Sequence, residues 1–272
     1  MKWLPSLTQP SLGELASMRM PPPFRGFRAA LIFLTRIPVG GEGYRDADWR
    51  WSTAWFPSVG ALIGIFLGGL WMGLSPLGPW PCAFIVIGIA MLITGGFHED
   101  GLADTADAMG GAYDRERLFI ILKDSRVGAF GAMALFVALG LRAAFLAGLG
   151  EDSPASLVAT ECLSRLPPIW LMVLMPYATD DAQAKSRQVT RAQLPQGVFA
   201  TCSCVLVCSL LHHFGYLTVE KLYGLAAAML ATGVYCGWRF HRRAGGVTGD
   251  FLGATQQVGQ LGMLAVLLWP SA

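Results

Sequence analysis

The chain of 272 residues is 54% hydrophobic and only 14% charged, against about 25% charged for a typical soluble domain. This imbalance excludes an ordinary soluble domain and indicates that lipid is the main solvent. The length suits one membrane domain without a second folded domain. We expect membrane lipid around the chain and no nucleic-acid partner. The composition is compatible with an oligomer but does not define the oligomeric state.

The first 23 residues do not resemble a secretory signal. They lack a continuous apolar core and end in Pro21-Pro22-Pro23, so we expect a disordered N-terminal extension. Residues 24–272 are expected to form a single polytopic catalytic domain. From Phe24 to Ile37, apolar residues alternate with arginines, which favours an amphipathic helix lying in the membrane interface. A short connecting helix on the protein surface is the alternative.

Seven apolar stretches follow, each 18 to 24 residues long, and a membrane-spanning helix needs about 20. They cover residues 52–74, 80–97, 128–149, 155–178, 195–217, 222–240 and 248–269. The sequence therefore predicts an all-α integral membrane protein with about seven transmembrane helices and an N-terminal interfacial helix.

Basic residues collect on one side of this arrangement. Seven Lys or Arg precede residue 52, whereas the opposite loops share only Lys221. Further members of the basic side are Arg115, Arg117, Lys123, Arg126, Lys185, Arg187, Arg191, Arg239, Arg242 and Arg243. Because basic loops stay in the cytoplasm, we expect a bacterial inner-membrane protein. Its N-terminus and active site should be cytoplasmic, and its C-terminus periplasmic.

An acidic run follows the second apolar stretch. If it is helical from Asp100, then Asp100, Asp104 and Asp107 stand at i, i+4 and i+7 and share one face. Hard carboxylate oxygens of this kind suit Mg²⁺, which often completes its shell with water and substrate phosphates. A solvated acidic turn is the alternative. Small residues between the acids (Gly101, Ala103 and Ala106) favour the metal site, because they let a bulky ligand approach the backbone.

Other polar residues are candidates for contacts to a phosphorylated substrate. His98 is a candidate general base, metal ligand or phosphate contact, or else a capping or interface histidine. Lys123 and Arg126 can hold phosphate oxygens, although an ordinary basic flank of a membrane helix has the same composition. Asp250, at the start of the last apolar stretch, is a second candidate metal ligand or a helix cap.

Arg165 lies deep within the fourth apolar stretch, where a charge normally faces the bundle interior or a wet cavity. Glu161 precedes it by four residues, so an ion pair is possible. Pro167-Pro168 predict a broken helix, which is tolerated at membrane depth where it lines a cavity. We therefore predict that Arg165 faces substrate. Gly249 and Gly253, also four apart, predict close helix packing.

Several of these motifs together resemble one known family, the membrane-bound cobalamin synthases (adenosylcobinamide-GDP ribazoletransferases), over nearly the whole chain from about Phe27. The motifs are Phe33-Leu34-Thr35-Arg36-Ile37-Pro38, Gly96-x-His98-x-Asp100-Gly101-x-x-Asp104-x-x-Asp107, Lys123-Asp124-Ser125-Arg126, Ser164-Arg165 and Thr248-Gly249-Asp250-x-x-Gly253-Ala254. The aspartate run joined to the Lys-Asp-Ser-Arg segment is the most specific of them. The N-terminal extension lies outside the family pattern.

The resemblance implies a Mg²⁺-dependent transferase of cobalamin biosynthesis. Adenosylcobinamide-GDP would react with α-ribazole or its 5′-phosphate, giving adenosylcobalamin or its 5′-phosphate and GMP. Asp100, Asp104, Asp107 and Asp250 would hold Mg²⁺, while His98 or one aspartate, such as Asp104, would accept the hydroxyl proton. Cations at positions 123, 126 and 165 would stabilise charge on the leaving GMP. The chain departs from the family pattern in one place: the pattern has an acid a few residues into the last span, and here Gln256 and Gln257 stand instead. If that acid is a metal ligand, Asp250 or a glutamine carbonyl must replace it.

Two other classes share some of these features. A polytopic Mg²⁺-dependent prenyl or alcohol-phosphate transferase also brings aspartate-rich motifs to diphosphates, but with different spacings. A transporter is compatible with charges inside spans and broken helices. However, most acids here are predicted at one membrane face, and only Glu161, Arg165 and Arg142 are predicted to lie deep.

Overall fold

The computed structural model describes residues 22–39, 45–178 and 192–270. Within these residues the chain is helical, and its one β-type pairing is an isolated bridge between Tyr177 and Val247. The predicted all-α class is therefore confirmed. The expected disorder of residues 1–23 falls almost wholly outside the described residues, as do Lys185, Arg187 and Arg191.

Twelve α-helices make up the described chain. They are α1 (Pro22–Leu34), α2 (Asp46–Ser52), α3 (Phe56–Leu74), α4 (Pro79–Thr94), α5 (Phe97–Gly111), α6 (Arg115–Leu122), α7 (Ala129–Leu149), α8 (Ser153–Leu163), α9 (Leu166–Leu174), α10 (Leu194–His213), α11 (Val219–Ala244) and α12 (Gly249–Leu268). Short 3₁₀ turns at Thr53–Trp55, Ser75–Leu77 and Gly150–Asp152 join neighbouring helices.

Four helical stretches in the described chain are long and apolar enough to cross a membrane: Asp46–Leu77, Ala129–Leu174, Leu194–His213 and Gly249–Leu268. The bent pair α4 and α5 makes a fifth if it counts as one span. This is fewer than the predicted seven for two reasons. The stretch Ala129–Leu174 contains two predicted spans joined by one 3₁₀ turn, and α11 does not meet the same test.

The predicted N-terminal helix is present as α1. It packs on α2, where Arg25 forms an ion pair of 2.9 Å with the buried Asp48. The indole N–H of Trp55 donates to the Pro23 carbonyl at 2.6 Å. The helix itself is thus confirmed, while its position in the membrane interface stays a prediction.

Two consecutive glycines separate α4 from α5. Gly95 and Gly96 have φ values of 74° and 67°, which lie in the left-handed region that glycine adopts at least cost. The chain turns by 92° between the two helices, so α5 lies across the end of α4, outside the four long apolar stretches. The acidic run is helical as predicted, and its helix begins at Phe97, three residues before Asp100.

The core centres on α3, α8 and α12. Every fourth residue of α3 at Gly60, Gly64 and Gly68 faces α8, where a Cβ would meet its backbone atoms. Backbone contact of this closeness is the usual reason for small residues at helix interfaces in membranes. The chain then breaks between α8 and α9 at Ser164 and Arg165, directly before the proline pair, as predicted.

Candidate active site

The three aspartates of α5 lie along one side of the helix but differ in exposure. Asp100 is exposed, Asp104 is half-buried, and Asp107 is buried with 8% of its surface exposed. The predicted shared face is therefore present. It runs from solvent at Asp100 into the protein at Asp107.

Asp107 is bonded to the start of α7. Its two carboxylate oxygens accept the backbone N–H groups of Gly128 at 2.7 Å and Gly131 at 2.8 Å. These are N–H groups at a helix N-terminus, which have no partner inside the helix, and the negative charge also suits that end of the helix dipole. Asp107 thus joins α5 to α7, and its predicted role as a metal ligand stays a prediction.

The crossing of α5 and α12 brings Asp250 to the acidic face. Gly101 and Gly253 meet at the crossing, where a Cβ on Gly101 would lie 2.9 Å from the Asp250 carbonyl oxygen. The predicted close packing at Gly253 is confirmed. Asp250 does not cap α12, because Thr248 does so by accepting the Phe251 N–H at 3.3 Å. Its carboxylate is therefore available to the acidic cluster of Asp100, Asp104 and Asp250.

This crossing also corrects the interpretation of the small residues between the acids. Gly101 and Ala103 are buried against neighbouring helices; a Cβ on Gly131 of α7, for example, would touch the Ala103 carbonyl at 2.9 Å. Helix packing accounts for the small size of Gly101 and Ala103, while for the half-buried Ala106 the approach of a ligand stays a prediction.

The carboxylates of the cluster affect one another electrostatically. Partial burial, followed by the negative charges of Asp100, Asp250 and Asp107, raises the pKa of Asp104 to about 7. A divalent cation would relieve this repulsion, and hard oxygen ligands suit Mg²⁺. Among the described residues, no group of three or more His, Cys, Asp or Glu side chains is arranged to hold a metal ion by itself. The predicted Mg²⁺ site therefore stays a prediction, and water and phosphate oxygens would have to supply most of its ligands.

The predicted phosphate contacts at positions 123 and 126 lie in the turn between α6 and α7, just before Gly128. Both side chains are exposed. Arg126 is paired with Asp124 through two hydrogen bonds of 2.9 and 2.6 Å. These bonds lower the pKa of Asp124 to about 2. The turn adjoins the acidic face through the bonds of Gly128 to Asp107, but Arg126 must leave Asp124 to hold a phosphate.

His98 and Arg165 line one small cavity of about 40 Å³ together with residues of α9 and α12. A volume of this size holds one or two water molecules. Arg165 is 2% exposed and forms the predicted ion pair with Glu161 at 2.8 Å. The Arg165 backbone N–H donates to the Cys162 carbonyl and not to that of Glu161. The Glu161 carbonyl accepts from the Arg165 guanidinium. The broken helix thus lines a cavity, as predicted.

Sequence reasoning missed the buried polar network that surrounds this ion pair. Arg142 donates to Glu161 at 2.6 Å and lies 3.5 Å from Glu99. Gln257 donates to Glu99 at 3.1 Å, and Gln260 donates to Glu161 at 2.8 Å. The signal was partly visible, because a charge in an apolar stretch needs a partner. Which partner each one takes depends on the packing of four helices.

Gln256 and Gln257, which stand where the family pattern has an acid, both belong to this network. Both side chains are buried, and Gln256 donates to the Ser164 hydroxyl at 2.8 Å. Gln257 of α12 donates its side-chain N–H to Glu99 of α5, so an acid from another helix lies beside it. Within the described residues, neither glutamine hydrogen-bonds to Asp100, Asp104 or Asp250.

The fold and the site together define a class of protein: a helical membrane protein with an open carboxylate cluster where two helices cross, beside exposed cations and a buried ion-pair network. Carboxylates for a divalent metal next to cations for phosphate oxygens are the parts that phosphoryl transfer requires.

Comparison with known proteins identifies the family of the chain. A family model described as cobalamin-5-phosphate synthase matches residues 26–268. A protein of Albidiferax ferrireducens named adenosylcobinamide-GDP ribazoletransferase is 38% identical, covering 87% of this chain and 95% of its own. Proteins of the same name from Polaromonas sp. and Rhizobium johnstonii are 40% and 38% identical, covering 86% and 88% of this chain and 93% and 94% of their own. No solved structure matches. The chain belongs to the cobalamin-5-phosphate synthase family, and the predicted resemblance is confirmed.

Proposed function

We propose that the protein is an adenosylcobinamide-GDP ribazoletransferase. It joins adenosylcobinamide-GDP to α-ribazole or its 5′-phosphate and releases GMP. The carrying observation is that Asp100 and Asp250 lie near enough to Asp104, where α5 crosses α12, for their charges to raise its pKa, in a chain whose relatives, along almost their whole length, bear that name. A ribose hydroxyl of α-ribazole forms a bond to the phosphorus atom attached to cobinamide, and the bond from that phosphorus to the GMP oxygen breaks.

The residues of the site have distinct roles in this proposal. Asp100, Asp104 and Asp250 hold Mg²⁺, which neutralises charge on the diphosphate when bound. Asp107 is a fourth candidate ligand that also bonds to α7. The hydroxyl proton passes to Asp104 or to the buried His98.

Cations balance the charge that develops on the leaving GMP. Lys123 and Arg126 contact it from the exposed turn between α6 and α7. The ion pair of Arg165 with Glu161 keeps its guanidinium at the cavity that it shares with His98.

We further propose seven membrane crossings. They are formed by α3, α4, α7, the pair α8 and α9, α10, α11 and α12. The basic helix ends lie at the cytoplasmic face of the inner membrane, on the side from which phosphorylated substrates would enter. Labelling of single cysteines introduced at Glu151 and at Arg117, in intact cells with a reagent that does not cross membranes, should modify the first site only. The reverse pattern would contradict this orientation.

Turnover by purified protein tests the function. The protein in detergent would receive adenosylcobinamide-GDP, α-ribazole 5′-phosphate and Mg²⁺, with GMP and corrinoid products followed by mass spectrometry. We expect Mg²⁺-dependent turnover that Asp104→Asn reduces by at least ~10²-fold, because a metal ligand is lost. Asp152→Asn, an exposed acid beyond the end of α7, is the control and should retain activity.

Two results would count against the proposal. Folded wild-type protein without turnover would refute the function. Full activity in Asp104→Asn would leave the proposed reaction standing but would show that the acidic cluster takes no part in it.

A further inference from the structure

A second cleft opens on the other side of α5. It has a volume of about 680 Å³ and lies between the segment after α1, the α4–α5 turn and α7. Its polar lining includes Arg36, Glu99 and Asp100, and its apolar part includes Leu135 and Leu139 of α7. A volume in this range is typical of small-molecule sites. Asp100 belongs both to this cleft and to the acidic cluster, so the cleft and the cluster share one carboxylate.

Arg36 is held at the edge of the cleft by the turn between α4 and α5. Its backbone N–H donates to the Ile93 carbonyl at 2.7 Å. Its side chain lies across Gly95, where any Cβ would collide with the guanidinium. The side chain is exposed, and within residues 22–39, 45–178 and 192–270 no hydrogen bond or ion pair engages it. Its planar set of donors therefore faces the cleft region, and such a set matches phosphate oxygens well.

Glu99 shows independently that the cleft suits a polar ligand. The residue is 6% exposed and lines the cleft. Its Oε1 accepts from Gln257, while Oε2 is buried and has no hydrogen-bond partner among the described residues. A buried carboxylate oxygen without a donor is costly, and a ligand hydroxyl or amide in the cleft would supply one.

The two observations together define the ligand chemistry. Arg36 favours an anionic group with several oxygens, and Glu99 Oε2 favours a hydrogen-bond donor; a substrate that carries both groups could contact both residues. We propose that Arg36 binds phosphate oxygens of the nucleotide-activated substrate in this cleft, with Glu99 Oε2 accepting a hydrogen bond from that substrate. This inference rests on the proposed function, because it assigns the cleft to one of its two substrates.

A phospholipid headgroup presents the same phosphate chemistry. Arg36 also borders an apolar groove along α4, lined by Ile85, Gly88 and Leu92, in which an acyl chain could lie. The experiment must therefore separate soluble phosphate substrate from lipid.

Kinetics in phosphatidylcholine nanodiscs provide the test. We expect Arg36→Gln to raise the KM for adenosylcobinamide-GDP by ~10-fold or more, since a charge-assisted pair is lost. The KM for α-ribazole 5′-phosphate should not change. Arg36→Lys should recover part of the loss. The control is Arg117→Gln, an exposed arginine on α6 that does not line the cleft and should match wild type.

Equilibrium binding distinguishes failure of this inference from failure of the function. Binding of adenosylcobinamide-GDP would be followed by corrinoid absorbance without the second substrate. Weaker binding in Arg36→Gln, at unchanged thermal unfolding, supports the inference even if wild type does not turn over. Unchanged binding and KM would overturn it. If Arg36→Gln loses phosphatidylglycerol that co-purifies with the wild type in detergent, while its KM is unchanged, the inference is also overturned and the cleft is assigned to lipid.

Discussion

Asp107 is a candidate for two roles, a cap on the first turn of α7 and a ligand of a metal ion. Its spacing from Asp100 and Asp104 places it in the acidic series, but both of its oxygens accept backbone N–H groups of Gly128 and Gly131. Those N–H groups sit at the first turn of α7, where water or a capping oxygen must satisfy them. The structure thus gives Asp107 a role in stability whether or not it also binds metal.

At the residue scale we predict that Asp107→Ala lowers the free energy of unfolding by about 2 kcal/mol, because a buried cap with two hydrogen bonds is removed. Reversible unfolding in mixed SDS micelles, followed by circular dichroism, measures this. Asp152→Ala is the matched control, since Asp152 stands at the N-cap of α8 without a capping hydrogen bond and should change stability little. Equal stability of the two variants would argue against the cap.

A second prediction at this scale concerns metal affinity. If Asp107 is mainly a cap, Mg²⁺ titration of Asp107→Ala should resemble wild type, while Asp104→Asn should bind Mg²⁺ at least ~10-fold more weakly. Isothermal titration calorimetry on both variants makes the comparison. A comparable loss of affinity in Asp107→Ala would show that Asp107 is also a ligand.

At the scale of helices, glycine spacing controls how closely α3 approaches α8. Gly64 lies against the backbone of α8, where a Cβ would come within 2.6 Å of the Leu157 carbonyl oxygen and of the Val158 Cα. Backbone atoms cannot move aside as a flexible side chain can. Gly69, one residue beyond the contact line, has open space around it.

We therefore expect Gly64→Ala to destabilise the protein by about 1–3 kcal/mol through overpacking. Gly69→Ala should be neutral or slightly stabilising, because alanine favours the helix. Thermal unfolding of both variants in detergent distinguishes them. As a control, both variants should show the helix content of the wild type before heating, without added ligand. A tolerated Gly64→Ala would mean that α3 and α8 can separate without cost.

At the scale of the whole molecule, the buried network joins α5, α7, α8 and α12. It contains two arginines and two glutamates, so its formal charge is zero, and its members lie 2.6 to 3.5 Å from one another. Buried ion pairs contribute little net stability, but removal of one partner leaves a buried charge uncompensated. The network consequently favours one relative arrangement of these helices.

We predict that Arg142→Met lowers the free energy of unfolding by about 3–5 kcal/mol. The double variant Arg142→Met, Glu99→Gln should recover a substantial part, because it restores neutrality and leaves the Glu161–Arg165 pair intact. SDS unfolding of wild type and of both variants tests this, with Arg117→Met as the exposed control. A double variant no more stable than the single one would refute the charge argument.

Much of the architecture was predictable because it depends on local composition. The helical class, the break before Pro167-Pro168, the Glu161–Arg165 pair and the helical acidic run follow from apolar length, proline chemistry and i, i+4 spacing. The count of spans was harder. The sequence separates residues 128–149 from 155–178, whereas in the structure Ala129–Leu174 is one helical stretch interrupted by a 3₁₀ turn. Apolar length also does not place the 92° turn at Gly95-Gly96.

The amino-acid sequence by itself determined the solvent, the helices, the family and the carboxylate chemistry, because each depends on residue type and short-range spacing. Tertiary structure alone decided which side chains meet. The charge of Asp250 acts on Asp104 because Gly101 and Gly253 let α5 and α12 cross closely. Asp107 caps α7 and Glu99 meets Gln257 across 158 residues of chain. Such contacts depend on how whole helices pack, which no local pattern specifies.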